Sequence, residues 1–62
     1  MNIRDWSAPL VELEPTSRRL YEALNRKEWE AAEKAAEELH DIVGELMRLC
    51  IYNRVVSGTG KM

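Results

Sequence analysis

Apolar residues recur at spacings of three and four along the second half of the chain, which is the pattern of one helical face. Nothing there alternates with a period of two, and strong helix formers such as alanine, leucine and glutamate dominate. We therefore predict an all-α fold with a long second helix from about Glu28 to Tyr52. Its heptad a/d seam consists of Trp29, Ala32, Ala36, Leu39, Val43, Leu46 and Cys50.

Further apolar residues lie beside this seam and widen it. Ala35, Ile42 and Leu49 occupy the g positions of the same heptads, and Met47 occupies an e position. A stripe this wide indicates two neighbouring helices, as in a bundle, whereas a two-stranded zipper offers only one.

The same rhythm continues backward to the amino end. A wholly polar stretch over residues 25–28 separates the two helices, and we predict a tight turn there because Asn25 favours helix ends and left-handed conformations. The seam of the first helix is then Trp6, Leu10, Leu13, Ser17, Leu20 and Leu24.

Two prolines leave the start of the first helix open. Pro9 fits a first turn capped by Ser7, whereas Pro15 inside a helix would cost about 3 kcal/mol. Either the helix is kinked at Pro15, or it begins there and residues 6–13 form an extended arm, which we favour. The predicted organisation is an arm or kinked start over 1–14, an antiparallel helical hairpin over 15–56 and a flexible tail over 57–62.

Chain length bears directly on association. A chain of 62 residues forms one domain and hides only about 60% of its unfolded surface. One cysteine and one histidine supply neither an internal disulfide nor a zinc site, so we expect no metal and no cofactor. A homodimeric four-helix bundle solves the shortage of core. Its predicted core is Leu20, Leu24, Ala32, Ala36, Leu39, Val43, Leu46 and Cys50.

Charge and hydropathy bear on the class of partner and on the cellular location. With 9 basic and 11 acidic residues, no global field draws the chain to nucleic acid. No stretch approaches the roughly 18 uncharged apolar residues of a membrane span, and the first six residues do not form a secretion signal. The lone Cys50 fits a reducing compartment, so we expect a cytoplasmic protein outside the membrane.

Candidate partner-binding residues lie on both helices. Arg18, Arg19 and Arg26 occupy outward positions of the first helix, and a dimer would present them twice as a basic stripe able to touch phosphates. The alternative is that they are solvated helix charges. Trp6 and Trp29 are candidate contacts with a protein partner, although Trp29 could instead cap the end of the bundle.

Part of the chain resembles the Rop family of plasmid copy-number proteins. The likeness covers roughly residues 20–50 and includes the segments Leu20-Tyr21-Glu22-Ala23-Leu24-Asn25, Glu37-Glu38-Leu39-His40-Asp41 and Glu45-Leu46-Met47-Arg48-Leu49-Cys50. Family membership implies an antiparallel homodimer of helical hairpins that binds a pair of looped RNAs on its first-helix face. At the positions matching the family's RNA-contacting Asn, Phe, Gln and Lys, this chain has Ala8, Glu12, Thr16 and Ala23.

A shorter likeness concerns the second helix alone. Glu38-Leu39-His40-Asp41-Ile42-Val43-Gly44 resembles the phosphoacceptor box of one class of sensor histidine kinases, in which the His accepts a phosphoryl group and the following Asp acts as its base. The alternative is a histidine at the edge of the apolar seam, since consecutive residues point to different sides of a helix.

These observations favour a non-enzymatic protein. No carboxylate pair, Ser–His pair or Cys–His pair is predicted to converge, and a two-helix hairpin lacks the concavity that substrates need. We expect a dimeric regulator that binds structured RNA. The alternative is a protein-binding regulator or inhibitor of the kind that mobile genetic elements encode.

Overall fold

Two antiparallel helices joined by a short turn make up the fold. A computed structural model describes residues 3–59, except for the side chain of residue 59. Helix α1 spans Ser7–Asn25 and helix α2 spans Trp29–Thr59, and the described part of the chain contains no strand. The predicted all-α helical hairpin is therefore confirmed.

The turn closes as a Schellman motif. Glu28 donates its N–H to the carbonyl of Ala23 at 2.9 Å, and Lys27 donates to the carbonyl of Leu24 at 3.1 Å. Lys27 is the residue that adopts the left-handed conformation, with φ 60°. Asn25 is the last residue of α1, so the predicted helix end and the turn after it are confirmed.

Helix α1 begins earlier than Pro15, so the favoured extended arm over residues 6–13 was wrong. Pro15 lies inside the helix, on an exposed surface that borders the polar side of the hairpin. Pro9 lies in the first turn, where an N–H has no intrahelical partner, and its ring is buried. Helix α1 therefore includes both prolines, and Pro9 contributes to its buried face.

The amino end of α1 is capped from outside the helix. The Asp5 carboxylate accepts hydrogen bonds from the Ser7 hydroxyl at 2.7 Å and the Ser7 N–H at 3.1 Å. These bonds lower the pKa of the Asp5 carboxyl, the side-chain bond most. The predicted capping role of Ser7 was therefore wrong: Ser7 is the donor, and Asp5 accepts.

Helix α2 is longer than predicted. It continues past Tyr52 to Thr59, so residues 57–59 of the predicted tail are helical. Residues 60–62 of that tail lie outside the described residues. The result is a slender molecule, 51 Å long and 15 by 12 Å across.

The two helices meet along a seam that differs by one position from the predicted one. On α2 the inward residues occupy the d and g positions: Ala32, Ala35, Leu39, Ile42, Leu46 and Leu49. On α1 they are Pro9, Leu13, Thr16, Leu20 and Ala23. The a positions of α2 are therefore left at one edge of the seam.

The seam forms a thin core. Its buried side chains are small or medium in size, and no described side chain is fully buried. Alanines at Ala23, Ala32 and Ala35 let the helices approach closely near the turn, but they bury little apolar surface.

Candidate interaction surface

The hairpin has two grooves between its helices, one on each side of the seam, and we call them the polar groove and the apolar groove. The polar groove is lined in its middle by Glu12, Pro15 and Arg19 of α1 and by Glu38, Asp41 and Glu45 of α2, with the buried Thr16 and Ile42 at its floor. Towards the turn it continues past Arg26 and Lys34.

An ion pair crosses the polar groove. The Arg19 guanidinium donates to Glu38 Oε1 at 2.9 Å and to the hydroxyl of Thr16 at 3.2 Å. Both charged side chains are about half exposed, so the pair contributes at most about 1 kcal/mol. It nevertheless satisfies the one buried polar side chain of the seam, and no buried side-chain N or O atom in the described chain lacks a partner.

The apolar groove is lined by different chemistry. Trp6 and Leu10 of α1 face Leu46, Leu49 and Cys50 of α2, and Asn53, Arg54 and Ser57 close its open end. Leu24 of α1 and Val43 of α2 continue the same helix edges at seven-residue steps, because seven residues are close to two helical turns. Four large apolar side chains along this groove are each between 43% and 49% exposed: Trp6, Leu10, Leu24 and Val43.

The predicted dimer core is divided between the seam and the apolar groove. Ala32 is buried within the hairpin, while Leu20, Leu39 and Leu46 are half-buried. The remaining members, Leu24, Ala36, Val43 and Cys50, are exposed along the apolar edge of the single chain.

The predicted basic stripe is largely paired with carboxylates. Arg18 contacts Glu14 of its own helix at 3.2 Å, and Arg19 contacts Glu38. Within the described residues Arg26 forms no salt bridge, and it borders the turn end of the polar groove.

The two tryptophans lie at opposite ends of the hairpin. Trp6 sits at the open end, in the wall of the apolar groove, whereas Trp29 begins α2 at the turn and is 63% exposed. The structure therefore does not bring them together in one site within a single chain.

His40 and Asp41 are surface residues. Their nearest ring-nitrogen and carboxylate atoms are 4.0 Å apart, and both side chains are almost fully exposed. In the described part of the chain no three His, Cys, Asp or Glu side chains form a group that could hold a metal ion. Neither described helix has a run of apolar residues long enough to cross a bilayer.

Sequence reasoning missed a clasp at the open end, formed by the arm residues Ile3–Trp6 and the last turns of α2. Asn53 accepts a hydrogen bond from the Arg4 N–H at 2.9 Å and donates one to the Arg4 carbonyl at 3.1 Å. The Arg4 guanidinium lies over the Tyr52 ring, 4.6 Å from its centre. No local sequence pattern predicts a contact between residues 49 positions apart.

Comparison with protein-family models, with curated proteins and with solved structures yields no match for this chain.

Proposed function

We propose that the chain is a non-enzymatic regulator that acts by binding a macromolecule, and that it does so as a homodimeric four-helix bundle. The observation that carries the proposal is the apolar groove, where large apolar side chains remain about half exposed beside a seam whose buried side chains are small or medium in size. Contiguous apolar surface that is left exposed often marks a contact site in a protein.

The surface area of the single hairpin supports association. Its accessible surface is 5196 Å², whereas a compact monomer of this mass would expose about 4,100 Å². The excess of about 1,100 Å² is comparable to the roughly 800 Å² that each partner buries in a standard stable interface. A second copy laid on the apolar groove would cover the a-position residues and provide the second neighbour that the wide stripe indicates.

A protein is the class of partner that the outer surface favours. Trp29 and Tyr21 expose large aromatic surfaces near the turn, away from Trp6 at the open end. Exposed tryptophan and tyrosine are the residues that most often dominate binding energy between proteins.

A protein partner is tested by capture from cell extract after nuclease treatment. We expect a retained partner that is lost with Trp29→Ala and kept with Arg48→Ala, a substitution on the polar side of α2 far from the turn. Both variants must retain the dimer mass. Equal capture by both variants would contradict a role for Trp29.

RNA is the second candidate, and the resemblance to the Rop family supplies its specific form. Arg26 supports it, because this guanidinium has no carboxylate partner within the described chain, and a dimer presents it twice. Pairing of Arg18 and Arg19 with glutamates weakens the stripe, since neutralised arginines release fewer counterions from a phosphate backbone.

The RNA form is tested by a mobility shift with a pair of complementary RNA hairpins at low salt. Binding should weaken steeply as salt rises, and Arg26→Gln should weaken it further, while Arg48→Gln serves as the charge-matched control on α2, away from the turn. No shift of the RNA at low salt would remove this form and leave the protein-binding form standing.

A further inference from the structure

The arm residues cross the open end of the hairpin and are fastened at three points. Asp5 is bonded to Ser7, the backbone of Arg4 is bonded to Asn53, and the Arg4 side chain lies on Tyr52. Asn53 uses both polar atoms of its side-chain amide, one to accept from the N–H of Arg4 and one to donate to the carbonyl of Arg4. Such two-point pairing fixes the position of a backbone segment as well as its distance.

These contacts of Arg4 and Asp5 bear on the position of Trp6. Arg4 and Tyr52 border the polar side of α2, together with Glu45 and Arg48, whereas Trp6 and Asn53 border the apolar groove. The arm therefore lies against α2 at Asn53, within the helix, and the indole lies on the apolar side. Trp6 is the N-cap residue of α1, and its carbonyl accepts a hydrogen bond from the Leu10 N–H at 3.2 Å, so its backbone is held between the first turn of α1 and the bonded Arg4.

We propose that Asn53 is a positioning residue for the homodimer: by holding the backbone of Arg4, it places Trp6 in the apolar groove as part of the surface that the second copy covers. This inference rests on the proposed dimer. It assigns the arm to the interface, whereas an arm that merely covers the groove would compete with the second copy.

The size and exposure of Trp6 support the assignment. Its indole is the largest side chain of the groove, and 48% of it remains exposed although it lies beside Leu10 and Cys50. An aromatic residue of this kind, rigid and partly covered before binding, is the usual anchor of a protein interface.

Two measurements test the proposal on the full-length chain. Sedimentation equilibrium gives the dimer dissociation constant of the wild-type protein, of Asn53→Ala and of Arg4→Ala. Fluorescence in a Trp29→Phe background reports on Trp6 alone, because the chain has two tryptophans. Arg4→Ala is the matched control: it removes the stacking on Tyr52 but keeps both backbone hydrogen bonds to Asn53.

We expect Asn53→Ala to weaken self-association by about tenfold or more, because it removes both hydrogen bonds that hold the backbone of Arg4. Its Trp6 emission should lose the blue shift that accompanies association of the parent protein. Arg4→Ala should weaken association less than Asn53→Ala and should keep the blue shift. Alanine favours helix, so a circular dichroism melt should show α2 intact in Asn53→Ala.

Three results would overturn the proposal, and they are distinguishable. A dimer whose affinity and Trp6 emission are unchanged in Asn53→Ala contradicts the inference and leaves the proposed function intact. Tighter association of Asn53→Ala shows that the arm covers the groove in competition with the second copy. A wild-type protein that stays monomeric at every concentration refutes the proposed dimer itself, whatever Asn53 does.

Discussion

The two grooves of the hairpin are built from the same pair of helices, yet only one of them is complete in a single chain. In the polar groove, Arg19 bridges the helices to Glu38 and satisfies the buried Thr16. In the apolar groove, Leu10 and Val43 face water with nearly half of their surface exposed. Water hydrates the charged side chains of the polar groove. The apolar side chains of the other groove are removed from water only when another apolar surface covers them.

This difference explains the thin core of the hairpin. The a/d/g stripe of α2 has enough apolar residues for two neighbours, and α1 takes only the d and g positions. The a positions, such as Ala36 and Cys50, are then available to a second copy. The following predictions compare substitutions on the apolar side of the hairpin with substitutions on its polar side.

The largest effect is expected at Leu46, which contributes to the seam and also lines the apolar groove. Leu46→Asp should abolish folding and association together, because it places an unpaired charge in apolar surroundings. We expect a loss of at least about 3 kcal/mol, seen as the disappearance of the helical circular dichroism signal. Glu45→Ala, the neighbouring change on the polar side, should leave that signal in place; comparable loss in both variants would contradict the account.

A charge at the edge of the apolar groove should act on association first. Val43→Glu should raise the dimer dissociation constant at least about 100-fold, because each copy would carry an unpaired carboxylate into the interface. Ala31→Glu makes the same kind of change beside the polar groove, where Ala31 is exposed. Sedimentation should show a dimer for Ala31→Glu only, and dimers of equal affinity in both variants would refute the apolar groove as the interface.

Pro15 tests the cost of an interior proline beside the polar groove. Pro15→Ala restores a helical N–H in α1 and should raise the free energy of unfolding by about 1–3 kcal/mol in a urea titration. Pro9→Ala should bring no gain, because an N–H in the first turn has no partner and the Pro9 ring is part of the buried seam. A gain from Pro9→Ala as large as that from Pro15→Ala would show that α1 does not begin at Ser7.

The smallest effect is expected in the polar groove itself. Arg19→Gln should lower the free energy of unfolding by at most about 1 kcal/mol at low salt, and the loss should shrink as salt is added. Arg18→Gln breaks a pair within α1 and should cost about 0.3–0.5 kcal/mol. An effect of Arg19→Gln that exceeds that of Val43→Glu on the dimer would reverse the comparison between the two grooves.

Periodicity alone predicted two helices, the turn between them and a stripe too wide for one neighbour. It did not decide which edge of that stripe α1 would occupy, because Ala35 and Ile42 at g and Ala36 and Val43 at a are equally apolar. Helix α1 packs against the g edge of α2. There it contributes the buried Thr16 and Ala23, and Arg19 lies in the polar groove.

The start of α1 was mispredicted for an energetic reason. The local penalty of Pro15 favours an arm, but packing of the whole helix against α2 outweighs a local cost of about 3 kcal/mol. The clasp between Arg4 and Asn53 was missed because it joins side-chain and backbone atoms far apart in sequence. Of the candidate interaction surface, the a-position residues were therefore predictable, whereas the placement of Trp6 by Asn53 was not.

The most direct test of the account is the mass of the wild-type protein in sedimentation equilibrium over a range of micromolar concentrations. Twice the 7.2 kDa mass of the chain is expected, since we propose that a second copy covers the apolar groove. A constant mass of 7.2 kDa across that range would contradict it.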